Sequence, residues 1–100
     1  MSKKSIKINE KTYNYDFTKV NFRQITILED EYDLNLMEMD KKPMSTLLSL
    51  FAYVANLDLD QAGEEVDKHI EKGGSFEDLT TLLVDFQDCA FFQSLGKKVK

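Results

Sequence analysis

The stretch Ser5–Phe17, SIKINEKTYNYDF, decides the fold class. Apolar and polar residues alternate on both sides of Asn9-Glu10-Lys11, which places Ile6, Ile8, Tyr13, Tyr15 and Phe17 on the apolar face of a β-hairpin. A lone two-stranded hairpin is marginal in water, so that face must lie on other elements. The rest of the chain has helical rather than alternating periodicity. The expected class is therefore α+β, mostly α, with an N-terminal β-hairpin packed on a bundle of about four helices.

The first helix is expected over 19–32, capped by Thr18, with Val20, Phe22, Ile25, Ile27, Leu28 and Tyr32 as its apolar positions. Gln24-Ile25-Thr26-Ile27-Leu28 is β-branched and also reads as a third strand. Glu29-Asp30-Glu31 continues the segment without a turn signal, which favours helix. Residues 33–42 read as a connection. Pro43 suits the first turn of a second helix over 43–57, capped from the Asp40 region. Met44, Leu47, Leu48, Phe51, Val54 and Ala55 fall on one side of it and Leu50, Tyr53 and Leu57 on the other, the pattern of a helix buried on most sides. A third helix over 59–72 has a thin stripe of Leu59, Ala62, Val66 and Ile70. Its charges, Glu64 and Glu65 early and Lys68 and Lys72 late, match the helix dipole. Gly73-Gly74 stops it. The last helix is expected over 75–95, opened by Ser75 with Asp78 three residues on in a capping-box arrangement and closed by Gly96. Residues 1–96 then form one domain and 97–100 a frayed basic tail.

Composition supports an ordered globule. Hydrophobic residues make up 42% of the chain and charged ones 31%, with four Gly and one Pro, which argues against a disordered or fibrous protein. Cys89 is the single cysteine, so no internal disulfide and no cysteine metal framework can form. No run approaches the ~20 apolar residues that span a bilayer, and the lysine-rich N-terminus has no apolar signal segment, so no membrane partner is expected. The net charge of −5 is unevenly spread. Residues 1–23 hold six Lys/Arg against two acids, residues 24–96 four against sixteen, and residues 97–100 three against none. So acidic a middle repels phosphate, and nucleic acid is not an expected partner.

The last helix carries the strongest functional signal. At about 100° per residue, Phe76, Leu79, Leu82, Leu83, Phe86, Cys89 and Ala90 share a core face. Val84, Phe91 and Leu95 project to the opposite side, with Phe92 between the two groups. Val84, Phe91, Phe92 and Leu95 are thus the candidate partner-binding residues, flanked by Asp85 and Asp88 for solubility. Burying three such side chains contributes roughly 5–9 kcal/mol, against an association cost of ~4–15 kcal/mol. One copy alone would bind weakly, so useful affinity calls for many copies, by self-association or along a repeating target.

Catalytic patterns are sparse. His69 is the sole histidine and reads as a solvated or packing residue on the thin third helix. Cys89 lies in an apolar stripe, where a thiol is filling rather than nucleophile. Glu29-Asp30-Glu31 with Asp33 is rich in carboxylates but lacks the glycine and spaced ligands of a calcium loop. Asp58 and Asp60 occupy helix-cap positions. No catalytic residue, cofactor or metal site is expected.

The order of these elements resembles a known family. The lysine-rich start, the hairpin Ser5–Phe17, a first helix ending in Glu29-Asp30-Glu31-Tyr32, the central helix Leu47–Ala55, the Glu64-Glu65-Val66-Asp67 helix, Ser75-Phe76-Glu77-Asp78-Leu79 and Phe91-Phe92 are similar to the tail assembly chaperones of long-tailed phages of Gram-positive bacteria. One departure is the turn, Asn9-Glu10-Lys11 where such proteins often carry Asn-Gly-Lys, which weighs against a tight turn but not against the hairpin. The resemblance implies a non-enzymatic factor of the host cytoplasm, absent from the mature virion. Such a factor coats the tape-measure protein in many copies, forms homo-oligomers, and helps recruit tail tube subunits. Contact with the tail tube protein comes mainly through a longer form made by a ribosomal frameshift, for which the Gly96-Lys97-Lys98 codons are a candidate site. A reading of a different class is a small phage-encoded regulator that inhibits a host protein through its acidic helical surface.

Overall fold

The computed structural model describes residues 4–39 and 41–88. Two antiparallel strands, β1 (Lys4–Ile8) and β2 (Lys11–Tyr15), precede four helices: α1 (Phe22–Tyr32), α2 (Pro43–Ala55), α3 (Leu59–Glu71) and α4 (Thr80–Gln87). The class is α+β, mostly α. The register pairs Ile8 with Lys11 and Lys4 with Tyr15, so the turn holds only Asn9 and Glu10. Both have positive φ, 54° and 68°, the two left-handed residues of a type I′ turn. The tight turn forms although Glu10 stands where glycine is favoured.

The register also explains which side chains face the helices. Ile6, Ile8, Tyr13 and Tyr15 share the inner face, and Lys4 and Lys11 sit at its two ends. Ser5, Lys7, Thr12 and Asn14 point outward and are exposed. Ile6, Ile8, Tyr15 and Phe17 are buried, and the Tyr13 ring meets Phe51 of α2 edge-on at 5.2 Å. Helix α2 is the centre of the core, with Leu47, Leu50, Phe51 and Ala52 all buried, and it packs on α1, α3, α4 and β2.

The first helix starts later than its apolar pattern suggests. Phe17–Lys19 is a separate 3-10 turn capped by Asp16, which accepts from the Thr18 backbone N–H at 3.0 Å. Extended Val20 then buries its side chain, and Asn21 rather than Thr18 caps α1 by accepting from Gln24 N–H at 3.0 Å. Phe22, expected on the apolar face, becomes the first helical residue and is exposed. The segment 24–28 is helical, with Ile25 and Leu28 buried. Residues 33–42 are more than a connection, since Leu34 and Met39 are core and Leu36–Glu38 forms a 3-10 turn.

Helices α1 and α2 end alike. Asp33 and Asn56 adopt left-handed backbone, and the leucine after each, Leu34 and Leu57, bonds back to Leu28 O (3.1 Å) and Ala52 O (3.0 Å). Pro43 begins α2, but Lys42 occupies the cap position without a side-chain cap bond, and Asp40 lies outside the described residues. Met44, expected on the buried side, is in the first turn and exposed. Asp58 and Gln61 form a capping box on α3.

The last helix departs most from expectation. Ser75 and Asp78 do form a capping box, but the turn they open, Phe76–Leu79, is 3-10, and α-geometry begins only at Thr80. A 3-10 turn advances about 120° per residue instead of 100°, so the stripe shifts and Phe76 is 43% exposed instead of core. Leu79, Leu82 and Phe86 are buried and Leu83 partly so. Cys89, Ala90, Phe91, Phe92, Leu95, Gly96 and the tail 97–100 lie outside the described residues.

Candidate functional site

Helix α4 has two sides. Leu82 and Phe86 are four residues apart and so share the buried side, where Phe86 meets Phe17 edge-on at 5.5 Å. Val84 falls between them in sequence and, at about 100° per residue, turns away from them; it is 56% exposed. Of the four expected partner-binding residues, Val84 is thus on the outer surface, and Phe91, Phe92 and Leu95 are not among the described residues. Among the described residues the other large exposed apolar side chains, Phe22, Met37, Met44, Ile70 and Phe76, come from other elements.

Asp85, expected to keep this surface soluble, is engaged instead. Its Oδ2 accepts from the Tyr15 hydroxyl at 2.5 Å and its Oδ1 from Lys4 Nζ at 3.0 Å, which fastens the open end of the hairpin to α4. Burial, then the hydrogen bond to Asp85 and its charge, pushes the Tyr15 phenol well above its ordinary value, so it stays a donor. Asp88 is exposed.

The tip of the hairpin is fastened to α3 by a second polar cluster. The Asn9 side chain donates through Nδ2 to Glu65 Oε1 at 2.9 Å, and Lys11 Nζ reaches the same oxygen at 3.3 Å. The Asn9 bond and the Lys11 contacts hold the Glu65 carboxyl below its usual range, against an opposing push from burial. Asn9 is 8% exposed, and its Oδ1 is buried without a hydrogen-bond partner. Turning the amide over would set that oxygen against the Glu65 carboxylate, so the orientation is fixed by charge.

His69 completes the cluster. Its Nδ1 accepts from the Asn9 backbone N–H at 2.9 Å, so in the neutral ring the hydrogen sits on Nε2 and is donated to Asp78 Oδ2 at 2.6 Å. Asp78 also receives the Ser75 backbone N–H; the His69 bond first, and this one second, lower its pKa. Gly74 leaves room for the ring, since a Cβ there would lie 2.3 Å from Nε2. Gly73, with φ +99°, supplies the left-handed residue that ends α3. The two glycines thus have different reasons.

Sequence reasoning placed Val84 and left His69 as a solvated or packing residue. His69 carries no catalytic geometry, because both ring nitrogens are engaged in bonds that join three segments of the fold. A signal was present in Gly73-Gly74 beside a capping-box aspartate, but only the tertiary fold brings Asn9 to the ring. Two clefts, about 200 Å³ beside Lys7, Asn9, His69 and Lys72 and about 150 Å³ beside Asp33, Glu38 and Thr46, are smaller than the roughly 300–1,000 Å³ of typical ligand pockets. Among the described residues no group of three or more His, Cys, Asp or Glu is placed to hold a metal ion. Among the same residues no helix is long and apolar enough to cross a membrane. No family model matches the sequence, and no curated protein or solved structure matches it either.

Proposed function

We propose that the chain is a non-enzymatic tail assembly chaperone that coats a tape-measure protein in the host cytoplasm and helps recruit tail tube subunits. The observation that carries the reading is Val84, an apolar side chain on the outer side of α4, opposite Leu82 and Phe86. Isolated exposed apolar residues are common, so the weight comes from its joining the outward stripe that the sequence continues through Phe91 and Leu95. A weak apolar contact repeated in many copies along an amphipathic helical target gives reversible coating, and the coat can then give way to tube subunits. A second reading, a small phage-encoded regulator, is favoured by Glu29, Asp30, Glu31 and Asp33, all exposed at one end of α1.

Co-expression with a tape-measure protein separates the two. A chaperone keeps the tape-measure protein in the soluble fraction and co-purifies with it, and Val84→Asp reduces both. A tape-measure protein that stays insoluble while the folded chain is present in excess would remove the chaperone reading and leave the regulator.

A further inference from the structure

We propose that His69 is a proton-operated latch holding the hairpin tip against α3. The inference is independent of the chaperone reading and rests on which atom of the ring can take a proton. Nε2 already carries a hydrogen, directed at Asp78 Oδ2 at 2.6 Å. A second proton must therefore bind Nδ1, and Nδ1 is the atom that accepts the Asn9 backbone N–H at 2.9 Å. Once Nδ1 carries a hydrogen, two donors face each other and the bond to the hairpin is lost. The ring cannot simply turn over, because Asp78 holds its other nitrogen and Gly74 lies against its face.

The tip is built to move when released. Asn9 and Glu10 both sit in left-handed backbone, which asparagine tolerates and which costs Glu10 energy. Asn9 Oδ1 is buried without a partner, and the side-chain ties that remain are Asn9 Nδ2 and the exposed Lys11 Nζ to Glu65 and the exposed, longer Glu10–Lys72 contact at 3.7 Å. The charged groups around the ring and its contact come from every packed element: Glu65 from α3, Lys72 from the cap at its end, Lys7 from β1, Lys11 from β2, Glu10 from the turn and Asp78 from the 3-10 turn before α4. The open end of the hairpin is held separately by Tyr15, Lys4 and Asp85, and that attachment uses no imidazole. Acid therefore removes the backbone tie at the tip and loosens it while the base of the hairpin stays docked.

Nuclear magnetic resonance on the full chain tests this. The ring nitrogen shifts should show the Nε2–H tautomer at high pH. The amide-exchange protection of Asn9, normalised for the intrinsic pH dependence of exchange, should fall about fivefold to tenfold between about pH 8 and pH 5, the consequence of losing one hydrogen bond. The fall should share its midpoint with the ring titration, and protection at Ile6 and Tyr13 should hold. In His69→Asn the Asn9 protection should be independent of pH in this range, whatever its level. An Nδ1–H tautomer, unchanged Asn9 protection through the ring titration, a simultaneous fall at Ile6 and Tyr13, or the same pH-dependent fall in His69→Asn would each overturn the latch.

Discussion

The Tyr15 hydroxyl donates to Asp85 Oδ2 at 2.5 Å across a separation of 70 residues, joining the last residue of the hairpin to α4. Lys4, the register partner of Tyr15, reaches the other oxygen of the same carboxylate. One helix residue thus gathers both strands at the open end, as Glu65 gathers Asn9 and Lys11 at the tip. Tyr15→Phe keeps the ring packing but leaves Asp85 one donor short, and should cost about 1–2 kcal/mol of stability in urea unfolding. A loss no larger in wild type than in an Asp85→Asn background would show that the pair is uncoupled.

Glu10 stands at φ 68°, where glycine meets no Cβ penalty. Glu10→Gly should stabilise the chain by about 0.5–1 kcal/mol, the left-handed cost relieved less the entropy that glycine adds to the unfolded state. Its exposed contact with Lys72 at 3.7 Å offsets little of this. Thermal melting of the two proteins side by side reads the sign directly.

Gly74→Ala should destabilise by about 1–2 kcal/mol, because the new Cβ displaces an imidazole held by two hydrogen bonds. Gly73→Ala should also destabilise, but by straining a left-handed residue rather than by moving His69. The ring resonances of His69 distinguish the two, shifting in the first variant only.

Glu65 and Asp78 have carboxyl groups lowered by the folded structure, Glu65 chiefly by Asn9 and Asp78 chiefly by His69. Groups lowered on folding contribute stability that is fully present above their unfolded values, about 4.3 for Glu and about 3.9 for Asp, and lost as pH falls through the folded values. Urea midpoints should therefore decline below about pH 4, and Glu65→Gln with Asp78→Asn should flatten that decline.

The hairpin, the four helices and the caps at Asp58 and Ser75 were legible in the sequence because each rests on local alternation, helical spacing or cap chemistry. The shorter α1 was not, since Asp16 and Asn21 are both good caps and only the burial of Val20 decides between them and Thr18. Phe76 was misplaced because the capping box at Ser75 opens a 3-10 turn instead of an α-turn, and the change in angle moves the side chain outward. The roles of Asp85 and His69 depend on partners 70 and 60 residues away, which no local pattern encodes. The outward position of Val84 was legible because it lies within the regular part of α4.

That outward position is what the proposed function needs, and two substitutions separate it from the core. Phe86→Ala should cost ~3–5 kcal/mol as a buried cavity, whereas Val84→Ser should stay within about 1 kcal/mol of wild type and still weaken partner binding.

Coating in many copies is read from the mass of the complex between this chain and a tape-measure protein, taken by light scattering after size-exclusion chromatography. A chaperone should give many copies on each tape-measure chain, with fewer retained when Val84 is changed to Asp. A one-to-one complex, or a mass unchanged by Val84→Asp, would contradict the chaperone reading.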